Sequence, residues 1–205
     1  MERFVYTHLL LFGQLISPVK HGFLRKRSRI TQLLQPIHKI SQNLDNNIQS
    51  DVLYLDLAKA YDSVDHQILL QKLKYYSVTG WLLEWFTDYL NGRTRRAVVD
   101  CPVLQWSTVT SRVPQGNILG PLLIVICIND FPEIVPNGTN TALYADDTKL
   151  HRSISSLSDC KYLQQTLDSI NIWNQQSNLK FNAKKRKVLI ITRKKTPVVY
   201  DYSLV

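Results

Sequence analysis

The sequence predicts an α+β domain, an antiparallel sheet with helices packed over one face, and three observations carry that prediction. Apolar stretches of about four to eight residues, chiefly at 51–57, 143–150 and 187–192, have the length and composition of strands. Between them lie segments whose apolar residues recur every third or fourth position, the pattern of helices that bury one stripe. No internal repeat or low-complexity linker divides the 205 residues, a length that suits one domain with a real core or a piece of a larger protein.

Taken in order, the opening MERFVYTHLLLFG reads as a helix. Ser28 is placed to cap the next one, whose Ile30, Leu33, Leu34, Ile37 and Leu44 follow helical spacing. Pro36 falls inside it; an interior proline removes a hydrogen bond and costs about 3 kcal/mol, so a kink, a division into two helices or a damaged helix is expected. DVLYLDL at 51–57 is apolar on both alternating faces, which marks a central strand covered on each side, and Asp56 is the exception within it. After AKAYDSVDH, where Asp62 is suited to capping, a helix follows with Ile68, Leu69, Leu73 and Tyr76 on one face. Another over 81–91 sets Leu82, Trp85, Phe86 and Tyr89 at helical spacing and stops at Asn91-Gly92. TRRAVVD and QWSTVT read as strands flanking a loop, and SRVPQGN breaks the pattern before a buried helix through 121–128. Then come a hairpin around Asp146 and Asp147, a helix from about 157 to 176 with Cys160, Leu163, Leu167 and Ile170 inward, and a last strand at 187–192.

Lysine and arginine number 25 against 16 aspartates and glutamates, and a net charge of +9 favours contact with a polyanion such as nucleic acid or an anionic membrane. Cys101, Cys127 and Cys160 lie far apart without paired spacing, which suggests neither a disulfide framework nor a zinc cluster and fits a reducing setting. The longest apolar run, PLLIVICI, is far short of the roughly 20 residues that cross a bilayer, and the N-terminus lacks a secretory pattern. The expected protein is therefore intracellular, nuclear or cytoplasmic, with no membrane partner.

A carboxylate at the centre of an apolar strand must be paired, protonated or metal-bound. Taken singly, Asp56 also fits a strand end facing solvent, and Asp146 with Asp147 fits a solvated turn, where aspartate is common. Together they are one acid on a buried strand and two on a tight hairpin, in segments that a sheet can bring side by side. Neighbouring carboxylates repel unless hard cations sit between them. Magnesium prefers oxygen ligands and keeps substrate phosphates and water in its shell. Two such ions about 3.5 to 4 Å apart activate an attacking hydroxyl and stabilise the leaving oxygen in phosphoryl transfer. In a basic chain this points to metal-assisted phosphoryl or nucleotidyl transfer on nucleic acid.

YLDLAKAYDSVDH, VPQGNILGP and YADD, in this order and at these separations, resemble the palm motifs of reverse transcriptases, specifically the non-LTR, LINE-type retrotransposon class. HGFLRKRSRITQLL and NLKFNAKKRKVLIIT resemble flanking segments of the same class, so the likeness covers nearly the whole chain. It implies a polymerase palm over 51–205 after a helical part of the fingers over 1–50. It also implies an RNA-directed DNA polymerase that extends a DNA primer on an RNA template with deoxynucleoside triphosphates. By the same resemblance Asp56 and Asp146 bind two catalytic magnesium ions, with Asp147 as a more auxiliary acid. Tyr61 matches the bulky gate beneath the incoming sugar, where a ring collides with a ribose 2′-hydroxyl. Pro114, Gln115 and Gly116 match the loop that holds nucleotide and template, and Lys185 matches the lysine near the departing pyrophosphate. Each has a plainer reading: a packed aromatic for Tyr61, an ordinary turn for the loop, a solvated basic run, KKRK, for Lys185. RKRSR at 25–29 and RTRR at 93–96 are either phosphate contacts or ordinary surface.

The chain departs from the family where Arg112 stands for a usual glycine, Asn117 for a serine, and Arg186 for a threonine, serine or cysteine. The family's upstream arginine-proline-isoleucine motif has no counterpart, and no thumb or endonuclease region fits after Val205, so a truncated copy is expected. Two other readings stand beside the polymerase. One is a catalytically inactive remnant that binds nucleic acid through its basic surface. The other is an unrelated two-metal nuclease, which needs further acids, and Glu2, Glu84 and Glu133 fall in no cluster.

Overall fold

The computed structural model describes residues 2–11, 16–91, 94–96, 105, 107–108, 111–113 and 116–203. In chain order these form α1 (Glu2–Leu11), β1 (Lys20–His21), α2 (Arg29–Asp45), β2 (Gln49–Asp56), α3 (Ala60–Ser63), α4 (His66–Tyr75), α5 (Trp81–Leu90), β3 (Thr94–Arg95), β4 (Ser107–Thr108), α6 (Gly120–Cys127), a 3-10 turn (Phe131–Ile134), β5 (Thr139–Tyr144), β6 (Asp147–Ile154), α7 (Leu157–Ser177) and β7 (Lys187–Ile191). They divide into two compact units, Met1–Leu15 with Lys59–Cys127 and Ile16–Ala58 with Ile128–Val205. Among the described residues no helix is long and apolar enough to cross a membrane.

The second unit is built on a five-stranded sheet in the order β1-β5-β6-β2-β7, parallel only between β1 and β5. The apolar run of β2 makes it the central strand expected, flanked by β6 and β7 and buried except at Tyr54 and Asp56. On one face lie the buried Leu53, Leu55 and Leu150; α7 packs against β6 and buries Cys160, Leu163, Leu167 and Ile170, the residues its periodicity predicts. The hydroxyls of Thr139 on β5 and Thr166 on α7 lie 3.4 Å apart across that layer. After β7 the chain runs extended back along this side. Gln49 pairs with the backbone of Val198 through both amide atoms, each at 2.8 Å, and Gln164 does the same for Ser203 at 2.8 and 2.9 Å. Tyr202 donates to Asp51 at 2.6 Å, and Gln49 donates to the other oxygen of that carboxyl group at 2.8 Å.

The opposite face carries α2 over only part of its length. Ser28 caps this helix as the sequence suggests, its side chain accepting from Thr31 N while Thr31 Oγ1 accepts from Ser28 N at 2.8 Å. The helix continues through Pro36 without division. Most of its apolar stripe does not face the sheet: Ile30, Leu34 and Ile37 are exposed and Leu33 and Leu44 only half-buried, while Gln32, Pro36 and Asn43 are buried. The reason is the chemistry beneath. Asn43 donates to the hydroxyls of Ser50 and Ser153 at 2.8 and 2.7 Å, and Lys149 reaches Gln32 at 3.2 Å, so a polar patch of sheet selects the polar side of the helix.

In the first unit, α4 buries His66, Leu69 and Leu73, α5 buries Leu82, Phe86 and Leu90, and α6 is buried along nearly all its length. The capping expected of Asp62 belongs instead to Asp65, which accepts from Gln67 N and Ile68 N at 2.8 and 3.2 Å. Left-handed backbone at Lys59 (φ 51°) starts the short α3, which takes up Asp62 before the longer helix begins. Of the two strands expected at 94–100 and 105–110, Thr94–Arg95 and Ser107–Thr108 pair antiparallel as β3 and β4, Arg96 and Gln105 lie outside them, and the remaining positions, with Cys101, lie outside the described residues.

Candidate active site

The acids meet because β2 ends where β6 begins. Their register sets Asp56 directly opposite Asp147, with Tyr144 of β5 on the other flank of Asp147. Only Ala145 and Asp146 separate β5 from β6, and Ala145 adopts φ 53°, the positive φ that the primed turns of two-residue hairpins require. This turn is held from the sheet edge: Ala145 N donates to His21 O at 2.8 Å. Gly22 follows with φ +89°, and a Cβ there would lie 2.6 Å from Ala145 N. Only glycine satisfies both the conformation and the approach.

Lys185 reaches the acids from the loop after α7. Asn182 N donates to Asp56 O at 2.7 Å, Asn182 O accepts from Lys185 N at 3.0 Å, and Asn182 Oδ1 accepts from Lys184 N at 3.1 Å. That tether sets the Lys185 ammonium 3.0 Å from Asp56 Oδ2. The hydrogen bond with Asp56, and then its charge, hold the Lys185 ammonium above the usual lysine range. Partial burial, then Asp146 and Asp56, push the Asp147 carboxyl above the usual carboxylate range. The two neighbouring carboxylates therefore act on Asp147 more strongly than Lys149 and Lys185 offset.

Beside Asp56 and Asp147 opens a groove of about 480 Å³ whose other walls include Tyr54, Lys149, Lys184 and Lys187. Tyr54 is the register partner of Lys149 on β6 and of Lys187 on β7, and the Lys149 ammonium lies 5.9 Å from the centre of its ring. The face left open by α2 thus joins acids at one end to a cationic, aromatic floor. Sequence reasoning missed Tyr54, Lys149 and Gly22; the alternation of β2 and β6 places the first two on the Asp56 face, and a glycine after a short basic-polar pair was the only local sign of the third.

The structure gathers Asp56, Asp146, Asp147 and Lys185 in one unit. Tyr61 and Gly116 belong to the other. There Tyr61 O accepts from Val113 N at 2.8 Å, Val64 O accepts from Arg112 N at 3.0 Å, and His66 Nε2 lies 2.9 Å from Arg112 O, so the segment leading into the loop is stitched to 61–66. Arg112 sits at φ 96°, a conformation that suits glycine and costs another residue about 1 kcal/mol or more. Asn117 Oδ1 accepts from Gly120 N at 2.6 Å at the start of α6, work a serine hydroxyl also does. Gly116 is exposed with φ +85°, while Pro114 and Gln115 lie outside the described residues.

Among the described residues no three His, Cys, Asp or Glu side chains enclose a metal position by themselves. The donor set still fits magnesium. It is all carboxylate oxygen, it carries surplus negative charge, and it lies beside a groove with room for the phosphate oxygens and water that would complete the shell this ion requires.

A family model described as reverse transcriptase (RNA-dependent DNA polymerase) matches residues 1–200. The RNA-directed DNA polymerase from mobile element jockey of Drosophila melanogaster is 29% identical over 195 residues, covering 90% of this chain and 21% of that protein. The probable RNA-directed DNA polymerase from transposon X-element of the same species is 26% identical over 208 residues, 97% of this chain and 23% of that protein. The chain thus spans about a fifth of the length of these relatives. Among solved structures, apo telomerase from Candida tropicalis truncated from its C-terminal domain matches with a TM-score of 0.69 at 12% identity, over 94% of this chain and 41% of that one. Telomerase from Candida albicans in complex with a TWJ fragment of telomeric RNA matches at 0.62 and 12%, over 98% and 36%. At such identity the likeness is one of fold, and it agrees with an α+β sheet of the polymerase-palm kind.

Proposed function

Because the chain belongs to the reverse transcriptase (RNA-dependent DNA polymerase) family, on its non-LTR retrotransposon side, we propose that it acts as the palm, 51–205, with part of the fingers, 1–50, of an RNA-directed DNA polymerase. Its substrates are an RNA template, a DNA primer and deoxynucleoside triphosphates. The observation that most supports this reading is the pairing of Asp56 with Asp147 across β2 and β6, with Asp146 in the adjoining turn.

Asp56 and Asp146 would hold two magnesium ions, with Asp147 adding charge beside them. Bound there, the ions would supply Lewis-acid polarisation of the α-phosphate and a lowered pKa for the primer 3′-hydroxyl. The chain's own part is to position and to balance charge, which dominates phosphoryl transfer. Lys185 keeps an ammonium where negative charge grows on the departing pyrophosphate. Tyr61 excludes the ribose 2′-hydroxyl, and Pro114, Gln115 and Gly116 cradle the nucleotide. Lys149, Lys184 and Lys187 give the polyanion a cationic floor, so binding weakens steeply with salt.

The test is extension of a DNA primer on an RNA template with magnesium, comparing the parent chain with Asp146→Asn. Extension by the variant is expected to fall by about 10³-fold, as for loss of a principal charge-stabilising group, while its salt-dependent RNA binding stays unchanged. Equal incorporation by the two proteins overturns the assignment.

A further inference from the structure

We propose that Lys185 is a stand-in cation: it occupies the acid cluster in the resting protein and leaves Asp56 when a divalent metal enters, so that metal loading and release of the lysine are one event. This role presupposes the acids as a metal site and adds a switch to it. The geometry begins with a shared oxygen. Lys185 Nζ lies 3.0 Å from Asp56 Oδ2, a position that a metal ion bound by Asp56 contests. The two partners are unequally fixed. Asp56 is a strand residue with 20% of its side chain exposed, whereas 63% of the Lys185 side chain is in solvent, on a stem of four rotatable carbons.

The backbone of Lys185 is anchored independently of its ammonium, through Asn182 O to Lys185 N and Asn182 N to Asp56 O. Rotation of the side chain therefore frees Asp56 without disturbing the loop or β2. Electrostatics sets the direction of exchange. Asp146 and Asp56 act on Asp147 more strongly than Lys149 and Lys185 offset, so the cluster with its lysine in place still favours further positive charge. A doubly charged hard cation is attracted more strongly to the same oxygens than a singly charged ammonium. Once displaced, Lys185 stays tethered beside the site, where the leaving pyrophosphate presents it with a new anion. Lys184, next in the chain, forms no ion pair among those the described residues show and serves as an internal control.

The experiment is brief acylation of surface amines, read at Lys185 and Lys184 by peptide mass spectrometry, with a calorimetric magnesium titration on the same protein. Magnesium is expected to raise labelling of Lys185 several-fold and leave Lys184 unchanged, and Asp56→Asn is expected to raise Lys185 labelling without metal. If the lysine holds the site nine-tenths of the time, Lys185→Met binds magnesium about ten-fold more tightly than the parent. Magnesium binding with Lys185 labelling unchanged overturns the switch and leaves the metal site standing. Absence of magnesium binding in parent and Lys185→Met alike overturns both.

Discussion

Asp51 and Asp56 share one strand and point to opposite faces of the sheet, and their surroundings differ in every respect that matters for chemistry. Asp51 is fully buried, and each of its oxygens accepts a hydrogen bond from a neutral donor, Gln49 at 2.8 Å and Tyr202 at 2.6 Å. Gln49 is itself held by the backbone of Val198, and burial together with Asp51 pushes the Tyr202 hydroxyl well above the usual tyrosine range, which keeps it a donor. Asp56 faces another carboxylate in register and is met by a solvated lysine. A buried carboxyl group whose two oxygens are each met by a fixed neutral partner is closed to a ligand and serves the fold. One that is crowded by its own kind and held by a replaceable cation keeps that capacity.

This contrast predicts that the two acids separate function from stability. The largest effect is expected from Asp56→Asn, which lowers primer extension by about 10³-fold, or about 4 kcal/mol of barrier, with the unfolding midpoint nearly unmoved. Next, Asp51→Leu strands the Tyr202 hydroxyl and the Gln49 amide without their acceptor, costs about 2–4 kcal/mol, and lowers the thermal midpoint by about 5–10 °C. A larger thermal loss for Asp56→Asn than for Asp51→Leu breaks the comparison. Tyr202→Phe removes one donor from Asp51 and is expected to cost about 1–3 kcal/mol in urea unfolding, with primer extension unchanged below the transition.

The smallest effect concerns Asp147. Its folded pKa is raised above the ordinary 3.8, so between the two values the folded state binds more protons than the unfolded one and stability declines as pH rises. Asp147→Asn is therefore expected to unfold at a slightly higher temperature than the parent at pH 7, with the gap closing on acidification toward pH 4. A gap that widens on acidification contradicts the charge surplus assigned to the cluster.

Long periodic segments were legible because their own spacing dictates burial: α7 with its inward Cys160, Leu163, Leu167 and Ile170, and the apolar β2 at the centre of the sheet. The hairpin was legible because two acids interrupt two short strands. Features that depend on partners far along the chain were not. Strand β1 is two residues long and exists through its pairing with β5, and the outward stripe of α2 follows from the polar sheet patch beneath it. Asp51 looked like a strand's first residue because Tyr202, its partner, comes 151 residues later. In the site, ordered motifs announced Asp56, Asp146 and Asp147, yet the grip of Lys185 on Asp56 needs the Asn182 tether, which no local pattern encodes.

The close approach of Gly22 to Ala145 means that the acid-bearing turn keeps its place by courtesy of a residue more than a hundred positions upstream. Any side chain at 22 must push that turn or the edge strand aside, and Asp146 moves with it. A substitution at position 22 can thus displace the acid cluster while all three aspartates are still spelled out, so the presence of these acids in a sequence is a poor guide to an intact cluster.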